Sequence, residues 1–145
     1  MAVSRMSTNS QRPDPAGSDN SGLLHGDVTR KIIAAFYAVK REVGPGFPEY
    51  LYANGVSVQL RELGLNVRRE VPYEMVFHGV VIGLFRADIV VEGLVIVEVK
   101  VSRGVLLPHR EQVWRYAKTA GLPVGMVLNF GENPGFARVL TNSGP

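Results

Sequence analysis

Two carboxylates and an ammonium group stand on neighbouring apolar stretches of this chain: Asp88 in VVIGLFRADIVV, and Glu98 with Lys100 in LVIVEVKV. Side chains alternate along a strand, so Glu98 and Lys100 share a face with Leu94 and Ile96, while Val95, Val97, Val99 and Val101 form the other. One face is all core; the other turns polar at its end. On the partner stretch Arg86, Asp88 and Val90 share one face and Phe85, Ala87, Ile89 and Val91 the opposite one. Glu92-Gly93 between the two stretches predicts a hairpin. A two-residue loop would put Asp88 and Glu98 on opposite faces. A three-residue loop, with Val91-Glu92 as a type I turn and Gly93 left-handed, pairs Val90 with Leu94 and sets Asp88 opposite Ile96 and Arg86 opposite Glu98. The two acids are then diagonal neighbours with Cα atoms roughly 7–8 Å apart, and both could reach one hard cation. A simpler arrangement is an Arg86–Glu98 cross-strand ion pair, with Lys100 on a solvated stripe. Against it, a strand this apolar belongs in the middle of a sheet, where carboxylates need a cation or several hydrogen bonds.

The elements that must hold these groups follow from periodicity. From Asp27 or Thr29, either a suitable N-cap, to about Val43, the spacing of Ile32, Phe36, Val39 and Val43 predicts a helix with one buried face. Gly44-Pro45-Gly46 ends it, and Pro48 suits the first turn of a second helix to about Leu63, presenting Leu51, Val58 and Leu63, with Gly64 after its end. A strand is expected at 66–71, with Pro72 forcing a break or an edge position before 74–77, and His78-Gly79 marks a turn. Pro108 starts a third helix to about Ala120, closed by Gly121. GMVLNF, residues 125–130, reads as a strand buried on both faces, and a last short strand is expected at 137–140. The order predicts an α/β (α+β) fold: a mixed central sheet flanked by helices, with a right-handed crossover through the third helix.

Composition narrows the chemistry. The 145 residues are 46% hydrophobic and 20% charged, which suits one domain with a real core. The first 22 residues, rich in Ser, Asn, Asp, Pro and Gly, read as a disordered tail, leaving residues 23–145 for the folded unit. With no cysteine and only His25, His78 and His109, thiolate zinc sites, disulfides and cysteine nucleophiles are excluded, and any metal needs carboxylates. Unbroken apolar runs, of which Ile32–Val39 has eight residues, fall far short of the roughly 18 needed to cross a bilayer, so a cytoplasmic protein without a membrane partner is expected. The net charge of +3 permits a phosphate-bearing partner without requiring one.

Asp88 followed by Glu98-Val99-Lys100 resembles the D…(D/E)-x-K signature of the PD-(D/E)XK nucleases, and Gln112-x-x-x-Tyr116 is similar to the Q-x-x-x-Y of their RecB-type branch. Gly46-Phe-Pro-Glu49-Tyr-Leu-Tyr52 resembles the signature of the small GxxExxY proteins, as do Arg86-Ala87-Asp88, His109 and Leu128-Asn129-Phe130-Gly131. These segments span about residues 28–140. The resemblance implies a restriction-endonuclease-like core in which Asp88 and Glu98, joined by the helix-borne Glu49, bind Mg²⁺ or Mn²⁺. Lys100 would stand beside the attacking water, and Gln112 and Tyr116 would flank the site. The implied activity is hydrolysis of nucleic-acid phosphodiester bonds, with DNA the expected partner. The alternative is a non-catalytic nucleic-acid- or protein-binding module on the same fold; a homodimer or a partner protein is compatible with either.

Each of these residues also has a plainer role. Glu49 could simply complement its helix N-terminus, worth about 0.3–1 kcal/mol. It shares a helical face with Tyr52, so both could point at the polar end of the sheet. Gln112 and Tyr116 could be a polar pair at the edge of an amphipathic helix, and His109 an occupant of its first turn. Trp114 reads as a packing residue. Arg68, Arg69, Arg103, Arg110, Arg115 and Lys118 form either a phosphate track or a solvated surface.

Overall fold

The computed structural model describes residues 23–145; the segment expected to be a tail, residues 1–22, lies outside them. The elements are α1 (Gly26–Val43), α2 (Glu49–Glu62), β1 (Val67–Phe77), β2 (Val80–Val91), β3 (Val95–Lys100), α3 (Leu107–Ala120), β4 (Val124–Asn129) and β5 (Gly135–Leu140). The strands form one sheet in sequence order. Pairing is antiparallel except between β3 and β4, which run parallel because α3 returns the chain to the starting edge of β3. The result is the helix-flanked mixed sheet expected from the element order.

Two apolar layers sandwich the sheet. On one side Ile32 and Phe36 of α1 and Tyr52 and Val56 of α2 pack on Ile89, Val97, Val99, Met126 and Leu128. On the other, Val113 and Ala117 of α3 cover Ala87, Val90, Ile96 and Val127. Every residue of β4 is buried, as the apolar run Val124–Leu128 requires, and the polar Asn129 at its end is buried with it. Val101, placed with the core face of β3 by alternation, is instead exposed, because the strand ends at Lys100.

The helix ends depart from expectation in detail. Neither Asp27 nor Thr29 caps α1: the chain enters through His25 at φ 53, and the Thr29 hydroxyl, already inside the helix, donates to the Gly26 carbonyl at 3.4 Å. On α2 the expected apolar face is the wrong one. Leu51, Val58 and Leu63 are exposed, while Tyr52, Ala53, Val56 and Leu60 are buried. Gly55 lets α2 press against α1, since a Cβ there would sit 3.2 Å from Val39 Cγ1.

β1 runs unbroken through Pro72, which is tolerated because β1 is an edge strand. The β1–β2 hairpin closes through His78 and Gly79, both left-handed at φ 48 and 77. Beyond Pro72 and Arg86 most of the hairpin is exposed and stands out from the body of the sheet as an arm.

Candidate active site

The β2–β3 turn sets the geometry of the two acids. Glu92 and Gly93 take φ 57 and 63, and Leu94 N–H donates to the Val91 carbonyl at 3.0 Å. Val91 therefore faces Val95 and Val90 faces Ile96. The three-residue connection is Glu92–Leu94 rather than the expected Val91–Gly93. A β-branched valine stays in the strand and the left-handed positions fall to Glu92 and Gly93. The parity expected of the acids survives, but the register carries Asp88 directly opposite Glu98 instead of diagonal to it. Arg86 is consequently not opposite Glu98; it lies 3.9 Å from Glu70 across the exposed arm.

Backbone pairing between β2 and β3 stops at Ile89 and Val97, and the acids take over from there. Asp88 N–H donates to Glu98 Oε2 at 3.2 Å, and Val99 N–H donates to Asp88 Oδ2 at 2.8 Å. Each carboxylate thus caps the other strand with one oxygen. Among the described residues, Arg138 Nε is the one fully enclosed side-chain polar atom without a partner. The second oxygens of Asp88 and Glu98 take no hydrogen bond and are therefore not fully enclosed.

A local twist turns Asp88 toward β3. Ala87 belongs to the core layer under α3 and Ile89 to the layer under α1 and α2, so the strict alternation expected of Phe85, Ala87, Ile89 and Val91 breaks at Asp88. On β1 the switch falls at Glu70, left-handed at φ 51, between paired Arg69 and Val71. A left-handed non-glycine residue inside a strand stores strain, here beside the acids. Arg69 bridges the break: its guanidinium donates to the Asp88 carbonyl and, at 3.0 Å, to Asn54 Oδ1 of α2.

Burial raises both acids above their ordinary pKa. Glu98, 4% exposed, is pushed up to about 8, by burial first and by the Asp88 charge second. Burial likewise raises Asp88, against the opposing pull of the Val99 N–H and with a further upward push from Glu49. Lys100 acts on both acids in the lowering direction without closing an ion pair within 4.0 Å among the described residues. Glu49, the first residue of α2, thus stands in the field of both acids. His109 stands in the field of Lys100 and Glu49: burial and Lys100 lower its pKa while Glu49 raises it.

Glu49, Asp88, Glu98 and Lys100 therefore share one electrostatic site at the end of the sheet where β2 and β3 part. Two acids held above their ordinary pKa, each with one oxygen that takes no hydrogen bond, are a donor set that suits a hard divalent cation. Among the described residues no three His, Asp or Glu side chains are grouped to hold a metal ion, so Glu49 acts on the pair through its field rather than by contact. Gln112 and Tyr116 are not joined to the acids by any hydrogen bond among the described residues. Gln112 Nε2 donates to Tyr116 Oη at 3.3 Å, and the Tyr116 ring stacks on Phe85 of β2 at 4.1 Å. The His109 Nδ1 accepts from Leu106 N–H at 3.1 Å, capping α3.

Tyr52 does not point at the polar end of the sheet with Glu49. Its ring stacks on Phe130 at 4.5 Å, and its hydroxyl donates to the Gly44 carbonyl at 2.7 Å and accepts from Phe47 N–H at 3.2 Å. It thereby fastens the loop that delivers Glu49. Asn129 has a matching role that composition did not single out. Fully buried, it accepts from Ser102 N–H at 2.8 Å and donates to the carbonyls of Ser102 and Asn133, fixing the chain just beyond Lys100. Gly131 completes the clasp, since a Cβ there would lie 1.9 Å from the Ser102 carbonyl oxygen. Beside this clasp a cavity of about 520 Å³ opens between Gly46, Val101, Phe130 and Gly131.

The candidate basic track is largely committed to the chain itself. Arg110 donates to the Pro145 carbonyl, Lys118 to the Thr141 carbonyl, and Arg115 lies 3.9 Å from Glu111. Trp114 Nε1 donates to the carbonyls of Leu140 and Ser143, the packing role expected of it.

No curated protein matches the chain. Among solved structures, the crystal structure of SSO0001 is similar with a TM-score of 0.40 and 16% identity, over 78% of this chain and 66% of that one. The sequence pattern of the PD-(D/E)XK nuclease superfamily matches residues 26–139, from the first turn of α1 to the end of β5. With that match spanning the whole sheet and all three helices, the chain belongs to the PD-(D/E)XK nuclease superfamily.

Proposed function

We propose that this protein hydrolyses phosphodiester bonds of nucleic acid, DNA above all, with the help of a divalent cation. The observation that carries the reading is the facing pair Asp88 and Glu98, each fixed by one oxygen to the other's strand and each with its second oxygen free of hydrogen bonds, in the field of Lys100. Asp88 and Glu98 would hold Mg²⁺ or Mn²⁺, and Glu49 would add its negative charge to the field around the ion without contacting the pair. When bound, such an ion neutralises charge on a scissile phosphate and lowers the pKa of water.

The chain's own groups account for the rest. The backbone bonds to Asp88 and Glu98 keep both carboxylates aimed before any ligand arrives, which limits the ordering cost of binding. Lys100 Nζ donates to the attacking water or to a phosphate oxygen and offsets the charge that develops there. His109, whose Nδ1 is occupied as an acceptor, has its proton on Nε2 and can donate it in a hydrogen bond to phosphate. Tyr116, whose oxygen accepts from Gln112, keeps its hydroxyl proton available for the same purpose.

Incubation of the purified protein with plasmid and single-stranded DNA in Mg²⁺ or Mn²⁺ tests the reading. Cleavage that falls at least about 100-fold in both Asp88→Asn and Lys100→Ala, with the fold intact by circular dichroism, is the expected result. Binding without turnover, indifferent to both substitutions, would make the protein a non-catalytic nucleic-acid-binding module instead.

A further inference from the structure

The tip of the β1–β2 arm, residues 75–84, holds no residue of the site just described, yet it carries seven exposed large apolar side chains. Met75, Val76 and Phe77 on β1 and Val80, Val81, Ile82 and Leu84 on β2 are 40–67% exposed. Side chains of this size, about half exposed, come to roughly 700 Å² of apolar surface. Summed over both sides of the arm, that approaches the ~800 Å² that each partner buries in a standard dimer, the comparison that applies when both sides are covered.

The pairing register distributes the patch over both sides of the arm. Phe77 faces Val80 and lies on the side of Met75, while Val76 faces Val81 and Leu84 faces Glu74 on the other side; Ile82 is the extra residue at the irregularity after Met75. An arm apolar on both sides is poorly covered by one flat contact and well covered when two arms embrace. The arm is also bounded by β1, an edge of the sheet with no strand on its outer side. A long, apolar edge strand left bare invites pairing with another strand.

Charge selects the class of partner. From Met75 to Phe85 the arm has no Lys, Arg, Asp or Glu. Phosphate contacts dominate nucleic-acid affinity, so this surface is not built for DNA or RNA. Between two copies of the same arm, with Glu74 opposite Leu84 as the one carboxylate beside the apolar tip, little like-charge repulsion opposes a two-fold contact. We infer that the β1–β2 arms of two copies of this chain pack against each other, making the protein a homodimer joined through residues 75–84. The inference does not depend on nuclease activity.

Sedimentation of the full chain across low- to high-micromolar concentrations tests it. The expected result is a dimer, weakened at least about 100-fold in dissociation constant by the double substitution Ile82→Glu, Leu84→Glu, with an unchanged circular dichroism spectrum. Because the chain has no cysteine, Val81→Cys provides an independent readout. It should form an intermolecular disulfide under mild oxidation, whereas Glu62→Cys, at the far end of α2, should not. A wild-type chain that stays monomeric at high concentration, or a dimer indifferent to the Glu substitutions and to the choice of cysteine position, would overturn the inference.

Discussion

Glu98 is the residue on which the energetics of the site turn. It is buried opposite a second acid, and it keeps its proton to about pH 8 in the fold against an ordinary value of 4.5. Between those two values the native state binds more protons than the unfolded chain, so stability falls as pH rises and the loss is complete above the folded value. Without divalent ions, the melting temperature should therefore drop between pH 5 and pH 8.5. Glu98→Gln keeps the shape and removes the titration, and should flatten that drop. Parallel pH profiles for the two proteins would show that Glu98 is not the group responsible. Lys100 and Arg69 counter the acids only in part, which leaves the pair short of positive charge in a way that a cation can correct.

At the scale of elements, the site depends on how two loops are clasped. Tyr52 ties the loop before α2, Asn129 and Gly131 tie the chain after β3, and stacking of Tyr52 on Phe130 joins the two. Gly131→Ala would drive a methyl group into the Ser102 backbone, so the loop beyond Lys100 must move. A loss of about 2–4 kcal/mol in urea unfolding is expected, together with weakened activity; an alanine variant as stable as the parent would remove the clasp from the account. Several of these elements were legible from residue types. Ile32, Phe36 and Val39 and the apolar run of β4 match the structure because burial sets them, and the bounds of α3 match because Pro108 and Gly121 fix the backbone there; Val43, expected to extend the stripe, is exposed at the last residue of α1. The face of α2 was not legible. Leu51 and Tyr52 are both apolar, and only the tertiary contact of Tyr52 with Phe130 decides between them. Nor was the register at the acids, since Val91–Gly93 and Glu92–Leu94 both read as three-residue loops. The break in alternation at Asp88 follows from a left-handed Glu70, which no side-chain type announces. That Asp88 and Glu98 come together across the hairpin was nonetheless legible, because the parity of the hairpin survives a one-step displacement.

Across the whole molecule, charge is spread thinly. Among the basic residues considered for phosphate binding, Arg69, Arg110, Arg115 and Lys118 have partners within the chain. Lys100, Arg103 and Arg68 remain for a phosphate backbone. About three contacts correspond to a fall in log affinity of roughly 3 per tenfold rise in salt. Fluorescence anisotropy with labelled DNA at several salt concentrations should return a slope of that size; one of roughly 7 or more would mean that the intrachain bonds give way and a wider basic surface is used. No helix among the described residues is long and apolar enough to cross a membrane. The fold therefore presents two separable surfaces, a polar site where β2 and β3 diverge and an apolar arm at the edge of the same sheet.

The central claim is that Asp88 and Glu98 form a divalent-cation site, and calorimetric titration with Mn²⁺ near pH 8.5, above the value to which burial pushes Glu98, tests it most directly. The account predicts saturable binding by the wild-type chain and its loss in both Asp88→Asn and Glu98→Gln, with Lys100→Ala still binding. Binding of equal strength in all four proteins, or none in the wild type, would contradict it.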